Sequence, residues 1–223
     1  MIRAPPPVAL AVSPSRLVLA AGETRALTVT NRGHTAATVE AVPSGLTVGL
    51  RGRPRILLRS PGLVVRPRRL AVPAGGAATL TVSAPRSARP GDRPGLVLVS
   101  MHGAARRVAV GLRIGVVVLV RGAGPVVRRL VPLALRVRGR TLELWLRNAG
   151  NVSEELRPGT IRVRLLRRGR VVARPRVTTR ELLPHTRGVC RLLLARRVRG
   201  DLVAVVRTLG TTRTFRMRAA GRR

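Results

Sequence analysis

Few residues in this chain are of types that do chemistry, and their spacing argues against catalysis. His34, His102 and His185 sit in loop-like positions, with no shared spacing to Cys, Asp or Glu. Zinc needs three or four such ligands converging, so no metal site is expected. Glu154 and Glu155 are adjacent, and neighbours on a strand point to opposite faces, which rules out a carboxylate dyad working as acid and base. The 8 serines include no Gly-x-Ser-x-Gly elbow. Gly122-Ala123-Gly124 lacks the third Gly and the following helix that a phosphate cradle requires. Cys190 is the only Cys, so no internal disulfide can form. It alternates with Leu192 and Leu194, which reads as a small buried hydrophobe. Asn151-Val152-Ser153 fits a glycosylation sequon, but the composition looks bacterial. The expectation is a protein that is not an enzyme and carries no cofactor.

Binding by charge is the remaining chemistry. All 44 basic residues are Arg, against 8 acids, for a net charge of +36. Residues 1–120 hold 17 Arg and 3 acids; residues 121–223 hold 27 Arg and 5 acids. Such a charge attracts polyanions at low salt whatever its origin. The absence of Lys favours a compositional habit over a selected patch, because a Coulombic patch accepts either cation. Arg51, Arg53 and Arg55 alternate along one segment, and Arg66, Arg68 and Arg69 follow. They are the candidate polyanion-binding stripe, with a solvated strand face as the plainer reading. Single-strand readers stack bases on aromatic rings, and Trp145 and Phe215 are the only aromatics. Specific nucleic-acid recognition is therefore not expected; non-specific phosphate contact by Arg remains an alternative.

The elements that must position these residues have period two almost throughout. Ile161, Val163 and Leu165 alternate with Arg162 and Arg164; Leu142, Leu144 and Leu146 alternate with Glu143 and Trp145. By parity Trp145 faces away from those Leu residues, toward packing on the other sheet face or toward a contact with the first domain or a partner. Strands are expected near 8–12, 16–19, 24–30, 36–42, 46–50, 63–66, 69–72, 77–83, 95–101 and 106–120. In the second half they are expected near 130–137, 141–147, 160–167, 170–174, 188–195, 201–207 and 212–218.

Three landmarks occur twice, in the same order. The first is an alternating run ending in Asn-x-Gly: Leu27 to Asn31-Arg32-Gly33, and Leu144 to Asn148-Ala149-Gly150. The second is Pro73 with Gly75, and Pro184 with Gly188. The third is Gly91-Asp92 and Gly200-Asp201, each before an apolar run. The offsets are 117, 111 and 109 residues. One module is therefore used twice. The expected fold is all-β: two immunoglobulin-like β-sandwiches in series, over 8–120 and 126–219, joined by Arg121-Gly122-Ala123-Gly124-Pro125.

The stretch 106–120 stands out. Val108, Val110, Leu112, Ile114, Val116, Val118 and Val120 line one face, and Val117 and Leu119 end the other. A long apolar edge invites aggregation, so this strand is expected to be paired on both sides over most of its length, or covered by the second domain near Val116 to Val120. The alternative is an edge that captures a partner strand.

Ser13-Pro14-Ser15-Arg16-Leu17-Val18-Leu19, Gly22, the run Leu27 to Asn31, Pro67 to Gly75, and Pro90-Gly91-Asp92-Arg93 before the long strand together resemble PapD-like immunoglobulin folds. Two families share that plan. Periplasmic pilus-assembly chaperones lend their long last strand to subunits, and anchor a subunit carboxylate with an Arg and a Lys. Arg16 stands where that resemblance puts the Arg, but the chain has no Lys. The WxL-interacting surface proteins of Gram-positive bacteria bind peptidoglycan and a ligand; they carry a signal peptide and a membrane anchor, neither of which is visible here. The Asn-x-Gly element is also similar to bacterial adhesion modules of the CARDB type. The function expected first is an extracytoplasmic envelope or surface binding or scaffold protein, with cell-wall polymer or another surface protein as partner. A PapD-like chaperone is the alternative. No transmembrane helix is visible, because Val108 to Val120 is broken by Arg113 and is shorter than the roughly 20 residues a span needs. A genuine start at Met1 would imply the cytoplasm. Oligomeric state is left open.

Overall fold

The computed structural model describes residues 9–86, 88–105 and 108–219 and leaves the side chains of 102–111 undescribed; among the described residues, alternation of apolar and polar residues becomes twenty β-strands and no helix. The chain divides into two compact units. One comprises the chain up to Thr47 with Ile56–Gly124; the other comprises Val48–Arg55 and the chain from Pro125 onward.

The first unit is a sandwich of two sheets. One sheet orders β1 (Leu10–Ser13), β3 (Thr24–Asn31), β8 (Ala77–Ser83) and β6 (Val64–Arg66). The other orders β2 (Arg16–Ala20), β10 (Val108–Gly122), β9 (Gly91–Ala105), β4 (Ala37–Val48) and β5 (Pro54–Leu57), with β7 (Arg69–Val72) also on β4. Leu27, Val29, Leu80 and Val82 of the first sheet meet Leu19, Val39, Val97 and Val118 of the second in one buried cluster.

The second unit repeats the plan. One sheet orders β11 (Leu130–Arg138), β12 (Thr141–Asn148), β18 (Arg187–Leu193) and β16 (Arg176–Val177). The other orders β15 (Arg170–Ala173), β14 (Arg162–Arg167), β19 (Gly200–Thr208) and β20 (Thr211–Ala219). A short antiparallel pair, β13 (Glu154–Leu156) with β17 (Arg180–Leu182), forms a separate two-stranded sheet. Leu142, Leu144, Leu146 and Cys190 pack against Val163, Leu165, Ala204 and Val206.

The repeated landmarks have matching physical roles. Asn31 and Asn148 are both fully buried. Asn148 Nδ2 donates to Val152 O at 2.7 Å and to Leu182 O at 3.1 Å, while Oδ1 accepts from Gly150 N–H at 2.9 Å. Asn31 Nδ2 donates to Thr35 O at 2.7 Å and, more weakly at 3.5 Å, to Val72 O; Oδ1 accepts from Gly33 N–H at 3.0 Å. Each Asn thus ties its own turn to the strand end just before the Pro of the second landmark. Gly150 is Gly because a Cβ there would lie 2.2 Å from Val127 O.

The third landmark opens the last hairpin of each unit. Gly91 and Gly200 both have left-handed backbone, φ 96° and 76°, which favours Gly. In both hairpins the following Asp faces an Arg across the ladder, Asp92 opposite Arg121 and Asp201 opposite Arg218. The energetics differ. The Asp92 carboxylate is fully buried and takes a bidentate fork from Arg121, at 2.8 and 3.1 Å. Asp201 and Arg218 lie 3.7 Å apart with side chains 88% and 86% exposed. Asp92→Ala is expected to destabilise the chain by about 1–3 kcal/mol. Asp201→Ala is expected to change stability by less than about 0.5 kcal/mol, because exposed pairs contribute little. Chemical denaturation of both variants checks this; equal losses would refute it.

The structure departs from the expected strands in several places. The expected strands at 36–42 and 46–50 are one continuous strand, β4, because it pairs with β9 through Pro43, Ser44 and Gly45. Strands β5, β13, β16 and β17, of two to four residues, carry too little alternation to be read. The expectation for 106–120 needs the larger correction. Strand β10 pairs with β9 along its whole length, but on its other side, among the described strands, only Val117 to Arg121 pair, in parallel, with Arg16 to Ala20. Two-sided pairing covers its last third rather than most of it.

Candidate functional site

The alternating sequence of β10 gives it a buried end and an open end. Val116, Val118 and Val120 are fully buried in the core, and Leu119 on the opposite face is buried too. Leu112 and Ile114 are half-buried, although they have the same parity as the core valines; Arg113 and Gly115 between them are exposed. Val108 and Val110 continue that parity, but their side chains lie outside the described residues. Over 108–116 the strand has β9 on one side and, among the described strands, no ladder on the other. Alternate residues of such an edge turn their N–H and C=O groups outward, toward an added strand. The half-covered Leu112 and Ile114 mark where alternate partner side chains would pack.

Arg16 opens β2 in register with Val117, where the two-sided pairing begins. Its charge acts on Arg121, whose pKa is raised chiefly by the hydrogen bond to Asp92; burial and the Arg16 charge oppose that rise.

The six Arg residues of the candidate stripe fall into two groups. Arg51, Arg53 and Arg55 belong to the second unit, and Arg66, Arg68 and Arg69 to the first. All six are exposed. Arg51 already has an acid, Glu143, at 3.5 Å.

Glu154 and Glu155 point apart. Glu154 is fully buried and takes a bidentate fork from Arg128 at 2.8 and 2.7 Å, whereas Glu155 is exposed. The Glu154 bond is the main cause of a raised Arg128 pKa. Cys190 is buried, and burial pushes its thiol up to about 11, so it is neutral at physiological pH. His34 and His185 are exposed, while the His102 side chain lies outside the described residues. Among the described residues no cluster of three metal-ligating side chains occurs. Trp145 is half-buried, with Arg136 5.9 Å from its ring centre. Its indole N–H is buried without a partner among the described residues.

Arg180 is a structural anchor that no local pattern marks. Within the second unit its guanidinium donates to Leu50 O at 2.7 Å and Gly49 O at 3.1 Å, and Val189 N–H reaches the same Leu50 O at 2.8 Å. Burial lowers its pKa.

No family model matches the chain, and no curated protein is similar to it in sequence. Solved structures are similar in fold. The class 5 fimbriae chaperone CfaA matches with a TM-score of 0.59 at 10% identity, over 96% of this chain and 100% of that one. The CsuC–CsuE chaperone–tip adhesion subunit pre-assembly complex, from archaic chaperone-usher Csu pili of Acinetobacter baumannii, matches with 0.53 at 16%, over 81% and 89%. The E. coli chaperone DraB matches with 0.52 at 14%, over 96% and 97%. At these identities the likeness is one of fold: two immunoglobulin-like sandwiches on the PapD-like plan.

Proposed function

We propose that this chain is a non-enzymatic, extracytoplasmic chaperone of the PapD-like kind, which captures an extended segment of a surface-protein partner on the open edge of β10. The observation that carries the reading is the one-sided pairing of 108–116 beside the half-covered Leu112 and Ile114. An added strand would complete the backbone hydrogen bonds there, and its alternate apolar side chains would cover those two residues. The fold supports the same activity, since the similar CsuC–CsuE structure is a chaperone complex with a tip subunit. The broader expectation of an envelope binding or scaffold protein is compatible with any pair of sandwiches, whereas the open edge points to one mode of binding.

The test uses three synthetic peptides. One alternates Val or Leu with Ser or Thr, one is its scramble, and one carries Pro at alternate positions. Strand addition needs both the alternation and the backbone N–H groups. Titration of the full chain is therefore expected to show saturable binding of the first peptide only. Equal binding of the scramble would refute capture by strand addition.

A further inference from the structure

The outer face of the sheet β15-β14-β19-β20 collects Arg and, among the described residues, carries a single acid, Asp201. The register aligns Arg162 with Arg207 and Thr212, then Arg164 with Val205 and Thr214, then Leu166 with Val203 and Arg216, and finally Asp201 with Arg218. Two open grooves border this sheet, the second also taking in Arg176 of β16 from the other sheet of the unit. One, of about 930 Å³, is lined by Arg167, Arg168, Arg199, Arg216 and Arg218. The other, of about 760 Å³, is lined by Arg162, Arg164, Arg174, Arg176 and Arg207, with Thr212. Asp201 is the only acid lining either.

Composition accounts for many Arg but not for this segregation. Of the other acids in residues 121–223, Glu143 and Glu154 are buried against Arg51 and Arg128, and Glu155 lies near Arg157. Glu181 is on β17, outside this sheet. Arg162 and Arg207 stand directly opposite one another, an arrangement that costs stability without an anion to bridge it. Asp201 to Arg207 along β19 spans about 20 Å at ~3.3 Å per residue, so both grooves are within reach of one extended ligand.

We propose that this face binds a linear phosphate polyanion, laid across both grooves and gripped by guanidinium forks. Arg donates two parallel hydrogen bonds to a phosphate, and ten Arg in two grooves match a chain with closely spaced charges. A bilayer fits less well. The exposed large apolar residues of this sheet are Val171 and Val203, and the face carries no aromatic anchor of the kind interfacial binding uses. Single-stranded nucleic acid also fits less well, because base stacking needs rings. The one aromatic of these strands, Phe215, packs with the core side.

The test measures binding of labelled inorganic polyphosphate to the full chain at about 150 mM salt, where distant charges are screened. Arg162→Gln/Arg164→Gln/Arg207→Gln is expected to lose about tenfold or more in affinity and to flatten the log–log salt slope by about 2–3. Arg216→Gln/Arg218→Gln is expected to weaken binding as well. The control Arg32→Gln/Arg59→Gln/Arg86→Gln removes three exposed charges from the first unit and is expected to lose less than about threefold, since it removes no direct phosphate contact. Equal losses in groove and control variants would mean that net charge alone binds, and would overturn the proposal. Competition by anionic-lipid vesicles or single-stranded DNA at equal or lower phosphate concentration would overturn the assigned occupant. Binding of the alternating peptide is expected to be unchanged in the groove variants.

Discussion

Val118→Asp is expected to unfold the first unit, while Ile114→Asp is expected to leave it folded and to abolish strand capture. The two residues lie on one strand, with the same parity, and their environments decide the difference. Val118 is fully buried, with Gly95 on one side and Leu17 on the other. Losing its apolar burial costs about 1.5–3 kcal/mol. An unpaired carboxylate in that core adds several kcal/mol more, lowered only by protonation of the Asp. The sum approaches the about 5–15 kcal/mol by which whole domains are stable. Ile114 is half-buried beside an edge unpaired among the described strands, so a carboxylate there reaches water, and the expected loss is about 1–2 kcal/mol. That same carboxylate would sit where a partner's apolar side chain must pack. Thermal melts and peptide titration of both variants separate the effects. A Val118→Asp chain that melts like wild type would refute the core placement. An Ile114→Asp chain that binds the peptide unchanged would refute the capture site.

Asn148→Ala is expected to cost about 3 kcal/mol or more, out of proportion to the few atoms removed. The amide satisfies Val152 O, Leu182 O and Gly150 N–H, all inside the protein. Each buried polar group left unpaired costs about 1–3 kcal/mol. Asn148→Asp is expected to be at least as damaging, because a carboxylate cannot donate to the two carbonyls and brings a charge into the site. Asn31→Ala is expected to cost less, since its bond to Val72 O is 3.5 Å long. Urea denaturation of the three variants gives the ranking, and a loss for Asn148→Ala below about 1 kcal/mol, the net worth of a single ordinary hydrogen bond, would refute it.

Legibility in the sequence followed the range of the interactions concerned. Leu27, Val29, Leu144 and Leu146 were readable as core because alternation is local, and a residue's parity follows from its own strand. The Asn-x-Gly landmark and the Pro followed by Gly were readable as a repeat, but not the bond that joins them, because Asn148 and Leu182 are 34 residues apart. The strand at 106–120 was readable as long and apolar, yet not where its second neighbour ends: among the described strands that neighbour reaches only Val117 to Arg121. Parity says which face a side chain takes and nothing about which strands lie alongside.

The sequence by itself determined the longer strands, their inward faces, the twofold use of one module and the overwhelming positive charge. Each follows from steric and hydrophobic preferences acting within about ten residues. Only the tertiary structure decided that Asp92 is buried against Arg121 while its counterpart Asp201 is exposed. It alone opened one edge of β10, and it alone gathered Arg from β14, β19, β20 and their loops onto one sheet. Those outcomes depend on strand order and register, which are set by contacts between segments far apart in the chain, and no local pattern encodes such a contact.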